Sequence, residues 1–350
     1  LNAANHYHNQ GDSTFQGENS LNGDFFGLDD LNTEAPAVVK GMTEIYKNII
    51  SEFRPDGFRI DTVKHVNIEF WQQFIPALEL HAKQIGIDNF FMFGEVYSGD
   101  PKELAKFTTT GKLPSVLDFG LQSVLYQTLV EQQGTEKLAK LFAQDNLYKD
   151  ANVLLNFSGN HDMGRFASFL KNSERNFSEQ AQIKRLKLAH ALLFFARGIP
   201  VIYYGDEQGF VGDGGNHDAR QDMMPSRVAS YNDDELLLSK STTAESNFDQ
   251  QHPLYQKFNI FAQLYHQHQV LRTGQHKTLV ASKQPGIYAF SRMNAEDEFL
   301  ILVNTSTEKQ AITLPLSDTN SQVIYQTTEN NNMLKSRKLA PLSFVIYRKI

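Results

Sequence analysis

Gly57-Phe58-Arg59-Ile60-Asp61 is a short, largely apolar stretch that ends in an acid, and Phe91-Met92-Phe93-Gly94-Glu95 repeats the form 34 residues later. Each stretch is too short for a core helix and reads as a buried strand. Between them, residues 68–85 carry apolar side chains at helical spacing. Strand, helix and strand over about 30 residues make a βαβ unit, whose strands run parallel with both faces covered.

The same alternation continues on both sides. Val38, Val39, Met42, Ile45, Tyr46, Ile49 and Ile50 recur at helical spacing up to Phe53, with Thr33 as the expected cap and Glu34 in the first turn. Further strands are expected at 117–121, at 153–157 and at 200–204, with helices up to 142, over 180–196 and over 254–270. Residues 32–273 therefore predict an α/β domain of parallel βαβ units. After about Thr273 the pattern changes. Segments 287–291, 299–303, 311–314, 323–325 and 343–347 are strands with no helices between them. Residues 274–350 thus read as a separate antiparallel β domain of sandwich form.

The 350 residues are 41% hydrophobic and 21% charged, as expected of a soluble globular chain with one large and one small domain. Net charge is −7 and no basic run stands out, which argues against nucleic acid as a partner. Cysteine is absent, so disulfides and thiolate metal sites are excluded. No apolar run is long enough to span a bilayer; the densest, 188–204, is broken by His190, Arg197, Gly198 and Pro200. Leu1 does not look like a natural start, and the polar, Asn- and Gly-rich residues from Asn2 to Gly23 read as the middle of a long loop.

Most of the expected parallel strands end in acids: Asp61, Glu95, His161-Asp162 and Asp206-Glu207. Strand C-termini form the catalytic face of a (β/α)8 barrel, so Asp61, Glu95 and Asp162 are expected to converge on one pocket. Arg59 shares a strand face with Asp61, two residues on, and its charge favours an ionised carboxylate able to attack an anomeric carbon. Glu95 follows Phe90, Phe91 and Phe93. Apolar surroundings would raise its pKa, as a proton donor needs near neutral pH. Two carboxyls in these roles about 5–5.5 Å apart define a retaining glycosidase. An acid at a strand end can equally be a helix cap. Phe70, Trp71 and Phe74 lie at helical spacing and read as core, whereas Tyr97, just after Glu95, is placed to stack on a sugar ring. His6 and His8 lack further ligands at metal spacing and read as loop residues with polar surface contacts.

At these residues the chain resembles the α-amylase family of glycoside hydrolases. Gly57 to His65 resembles the family's nucleophile segment, Phe93-Gly94-Glu95-Val96 its acid/base segment, and Phe157-Ser158-Gly159-Asn160-His161-Asp162 the segment of its third acid. The resemblance implies that Asp61 forms the glycosyl–enzyme bond and that Glu95 protonates the leaving oxygen and then activates water. Asp162 and His161 would hydrogen-bond the ring hydroxyls, and Arg59 would hold Asp61. Lys64 and His65 would contact the leaving-group side, which favours α-1,4-glucans. Leu28-Asp29-Asp30-Leu31-Asn32 resembles the family segment whose central acid, here Asp30, helps bind a structural Ca²⁺ completed by the backbone carbonyl of His65. Hard oxygens suit that ion; alternatively, Asp29 and Asp30 only favour a helix start.

The implied fold is a (β/α)8 TIM barrel lacking its first three strands. Residues 1–31 would be a remnant of the loop domain inserted after barrel strand 3, 32–273 would carry strands 4 to 8, and 274–350 would be the C-terminal β-sandwich. The implied function is retaining hydrolysis of α-1,4-glucosidic bonds in starch, glycogen or malto-oligosaccharides. The alternatives are an α-glucosidase, cyclomaltodextrinase or transglycosylase of the same family, or an inactive truncated relative. A monomer with no nucleic-acid or membrane partner, secreted or periplasmic, is expected.

Overall fold

The computed structural model describes residues 3–212, 217–312, 314, 321–327 and 338–349. The readings on Leu1, Asn2 and Thr313 lie outside the described residues. The chain divides into two compact units, residues 1–117 with 146–150, and residues 118–145 with 151–350.

In the first unit β1 (Gly57–Ile60), β2 (Phe91–Gly94) and β3 (Ser115–Val116) form a parallel sheet in the order β1-β2-β3. Gly57 is required by the closeness of β2: a Cβ there would lie 1.8 Å from the Phe91 carbonyl oxygen. Helices Pro36–Phe53 and Ile68–Gln84 pack against each other. The second buries Phe70, Trp71, Phe74, Ile75 and Leu78, with the Trp71 indole N–H donating to the Val63 carbonyl at 3.0 Å, so the aromatic trio is core. The expected cap at Thr33 is not formed. The helix begins at Pro36, whose fixed φ suits a first helical position, and Thr33 Oγ1 instead donates to Asn67 Oδ1 at 2.5 Å.

In the second unit β4 (Leu155–Asn156) and β5 (Ile199–Pro200) pair in parallel. Both strands are shorter than the sequence suggests: Ala151–Val153 is a 3₁₀ turn, and the last ladder-like bond runs from the Val201 N–H to the Asn156 carbonyl at 2.8 Å. The strand expected at 117–121 is a misreading. Asp118 accepts from the Leu121 N–H at 2.8 Å and starts helix Phe119–Leu125, the usual action of an N-cap carboxylate. The same carboxylate meets the buried Arg197 guanidinium at 2.5 Å, and Asp145 meets it at 2.8 Å. Ser178 caps helix Glu179–Phe195, whose second half is buried on every side.

After this helical layer come β6 (Gln275–Val280), β7 (Ile287–Met293), β8 (Glu298–Asn304), β9 (Gln310–Ala311), β10 (Ser321–Gln326), β11 (Lys338–Leu339) and β12 (Ser343–Lys349). Five of them form an antiparallel sheet in the order β10-β12-β8-β7-β6, and β9 pairs with β11. Side chains alternate between faces along a strand, and here both faces are covered. Tyr288, Phe290, Ile301, Val303, Phe344 and Ile346 join the core that includes Phe195 and Phe261 of the helices. Ile287, Ala289, Leu300, Leu302, Val345 and Tyr347 pack with Ile312 and Leu339 beside the small sheet. That is why the central strands read as unbroken apolar runs. The edge strand β6 alternates exposed and half-buried residues and was not legible as a strand.

Candidate active site

Register places the first two acids. Ile60 of β1 lies opposite Gly94 of β2, so Asp61 and Glu95 leave neighbouring parallel strands at the same level. The Glu95 N–H donates to the Ile60 carbonyl at 2.8 Å, and the Val63 N–H to the Glu95 carbonyl at 3.0 Å. Between them Thr62 sits at φ 49°, a region a β-branched residue seldom adopts. This turn points the Thr62 N–H at Glu95 Oε2, 3.3 Å away.

Arg59 bridges the pair. Its Nη1 lies 2.6 Å from Asp61 Oδ1 and its Nη2 lies 3.4 Å from Glu95 Oε2. The two carboxyls have different surroundings: the Glu95 side chain is 8% exposed and that of Asp61 is 61% exposed. Burial pushes the Glu95 carboxyl above its ordinary pKa. The Thr62 N–H opposes this, a hydrogen bond with Asp61 adds to it, Arg59 offsets part, and the Asp61 charge adds again; the net direction is upward.

Two further residues reach this level. Lys64 Nζ donates to the Tyr97 carbonyl at 2.9 Å, and the Tyr97 residue is 49% exposed. His65 is engaged by the loop before it. Its Nδ1 donates to the Ser20 carbonyl at 3.1 Å, its ring meets Phe15 and Phe25 edge-on, and burial lowers its pKa.

Asp30 lies in the same unit, near enough for its charge to be felt at His65. Asp30 Oδ2 is 2.5 Å from His8 Nδ1, and His8 Nε2 is 2.7 Å from Glu34 Oε2. The Asp30 N–H donates to Asp24 Oδ1 at 3.0 Å. Burial raises the Asp30 pKa and His8 works against that rise. Asp30 therefore offers a hard oxygen in a half-buried place, as calcium needs, but its carboxylate is already matched by His8. Among the described residues, no group of three or more His, Cys, Asp or Glu side chains is arranged to hold a metal ion.

In the second unit the chain leaves β4 and makes a tight hairpin. Asn160 and Gly164 exchange backbone hydrogen bonds of 3.1 Å, and Asn160 Oδ1 accepts from the Asp162 and Met163 N–H groups at 2.9 Å each. The hairpin presents His161 and Asp162. Asp162 Oδ2 is 3.1 Å from His161 Nε2, and Oδ1 is 3.3 Å from Arg220 Nη2. Arg220 carries no local signal that would have singled it out, being far along the chain. Of the acid pair after β5, Asp206 is buried and bonded to Arg165, while Glu207 Oε2 accepts from the Gly205 N–H at 2.9 Å.

Parallel strands with helices between them, two of them ending in a guanidinium-bridged carboxyl pair, place the chain among the β/α proteins. Residues 2–280 match the family described as alpha amylase, catalytic domain. An α-amylase of Streptomyces lividans is 46% identical over 312 residues, which are 87% of this chain and 34% of the relative. A beta/alpha-amylase of Paenibacillus polymyxa is 29% identical over 360 residues, 99% of this chain and 27% of the relative. Among solved structures an Anoxybacillus α-amylase aligns with a TM-score of 0.77 at 25% identity, covering 99% of this chain and 70% of that one. The chain belongs to the α-amylase family and has its fold, a TIM barrel with a C-terminal sheet domain. It spans about a third of the length of the curated relatives it matches. Among the described residues, no helix is long and apolar enough to cross a membrane.

Proposed function

We propose that this protein hydrolyses α-1,4-glucosidic bonds in starch, glycogen or malto-oligosaccharides with retention of the anomeric configuration. The observation that carries the reading is the contrast across one guanidinium: an exposed Asp61 held by Arg59, and a buried Glu95 whose pKa burial raises. An inverting pair needs room for water between carboxyls about 6.5–9.5 Å apart, whereas two carboxyls that share one guanidinium, at 2.6 and 3.4 Å, suit a retaining one.

In the first step an Asp61 oxygen attacks the anomeric carbon while Glu95 gives its proton to the departing glycosidic oxygen. In the second, Glu95 takes a proton from water, whose oxygen replaces Asp61 at that carbon. Arg59 aims Asp61, Asp162 and His161 hold ring hydroxyls, Lys64 and His65 serve the leaving-group side, and Tyr97 stacks on a sugar ring. Strands β1 to β5 are read as the fourth to eighth of the family's barrel, and the two layers after residue 273 as its sandwich. Asp30 and the His65 main-chain carbonyl would contribute oxygens to a structural calcium, with His8 giving way at Asp30; the ion would stiffen the loop and take no part in bond cleavage. Starch is usually met outside the cell, which supports a secreted or periplasmic location.

The test is maltoheptaose hydrolysis by the parent and by Glu95→Gln, with the product anomer followed by NMR. α-Anomeric product from the parent alone is expected. β-Anomeric product, or equal turnover by Glu95→Gln, overturns the reading.

A further inference from the structure

Arg165 stands at the exit of the hairpin that presents His161 and Asp162, and it is wholly buried. Its Nη1 donates to the Tyr204 carbonyl at 2.7 Å and to Asp206 Oδ1 at 3.0 Å. Its guanidinium lies over the rings of Tyr203 and Phe210, 4.5 and 5.0 Å from their centroids. Asp206 is itself only 3% exposed. His190, also buried, brings Nε2 to 3.6 Å from Asp206 Oδ2, with its Nδ1 donating to the Leu186 carbonyl at 2.9 Å.

Stability alone does not account for such a pair. Removing two charges from water commonly outweighs their attraction, and apolar residues of similar volume often hold a fold as well or better. What the pair does accomplish is geometric. One arm of the hairpin continues from β4. The other arm ends at Gly164, and its next residue, Arg165, is tied by side chain to the turn after β5. The arms are pressed together at Gly159, where a Cβ would lie 2.4 Å from the Gly164 carbonyl oxygen. Moving Arg165 therefore moves the far arm, and with it the loop that carries Asp162.

We propose that Arg165 and Asp206 are positioning residues: their buried ion pair sets the hairpin and so aims the Asp162 carboxylate. This rests on the reading of Asp162 as the third acid of the glucan-cleaving site. A displacement of about 1 Å at such a group can lower turnover about 100-fold.

The experiment compares the full chain with Asp206→Asn, with Arg165→Lys, and with the double replacement Arg165→Met plus Asp206→Leu. It reads thermal stability, hydrogen exchange at the Asn160 and Gly164 amides, and kcat and KM on maltoheptaose. Asp206→Asn is expected to melt lower than the parent. The double replacement is expected to regain the parent's melting temperature yet keep faster exchange at both amides, with kcat down about 100-fold and KM within about twofold. Arg165→Lys keeps the charge but not the planar fork, and its exchange and kcat should fall between those of the parent and the double replacement. Parent-like exchange and kcat in a stable double replacement overturn the proposal, as do parent-like values in Arg165→Lys should the double replacement not fold. A parent without turnover whose hairpin amides still respond sinks the glucan-cleaving reading and leaves the anchoring of the hairpin standing.

Discussion

Arg59 reaches Asp61 along one strand face, with Nη1 2.6 Å from Oδ1, and the same guanidinium lies 3.4 Å from Glu95. Asp61 is largely exposed, so the ion pair adds only about 0–1 kcal/mol to stability. Its weight falls on the chemistry. Arg59→Met should leave the melting temperature nearly unchanged while lowering kcat on maltoheptaose by at least about tenfold. A variant with normal kcat would show that Asp61 needs no guanidinium.

Asp61→Asn should abolish turnover and leave the fold intact, because the residue follows the strand and adds little to the core. Glu95→Gln should lower turnover by about 10²–10⁴-fold, the range for loss of a general acid. A substrate with a good leaving group, such as a fluoride, should recover the first step in Glu95→Gln but not in Asp61→Asn. Equal behaviour of both variants on that substrate would refute the division of roles.

Burial raises the Glu95 pKa, so the proton donor stays loaded above the usual carboxylate range, and kcat/KM should fall as pH rises through the raised value. Stability follows the same sign. The folded state holds this proton more tightly than the unfolded chain, so the contribution is full below the ordinary pKa and is lost as pH climbs through the raised one. Glu95→Gln should therefore be more stable than the parent at neutral pH, with the gap closing below about pH 4. Denaturant titrations at both pH values measure it, and a gap independent of pH would contradict the burial argument.

If Asp30 helps hold calcium, the ion should raise the melting temperature, with about 2.7 kcal/mol gained at a hundred times Kd. Asp30→Ala should remove the response. A melting curve indifferent to calcium and chelator would leave Asp30 as the partner of His8 alone.

Tyr97 exposes half its surface one residue beyond the Glu95–Val96 step. Tyr97→Ala should raise KM for maltoheptaose more than it lowers kcat. The reverse pattern would place the ring in support of the acids and not against sugar.

The parallel strands at 57–60 and 91–94 were legible because each is a short, largely apolar run separated from the next by a helix of regular spacing. The acids closing those runs could be found for the same reason. The Phe-rich approach to Glu95 also foretold its burial. Residues 117–121 misled because Leu117, Phe119 and Leu121 look like a strand, while one carboxylate in their midst, Asp118, opens a helix. Thr33 misled in the opposite sense: a residue type that caps helices found a partner in Asn67 instead. The contacts of Arg220 with Asp162 and of Arg165 with Asp206 join residues 58 and 41 positions apart, and no local pattern encodes such pairs.

The antiparallel sheet of residues 275–349 shares one of its faces with the helices before it, through Phe344 against Phe195 and Phe261 at 6.0 and 5.5 Å between ring centroids. It cannot be traded between relatives like a bead on a string. A recombination point placed at residue 273 would hand the helices a foreign face to cover, and only a donor with matching aromatic relief would keep them from water. Inheritance of this sheet is therefore tied to inheritance of the helices it roofs.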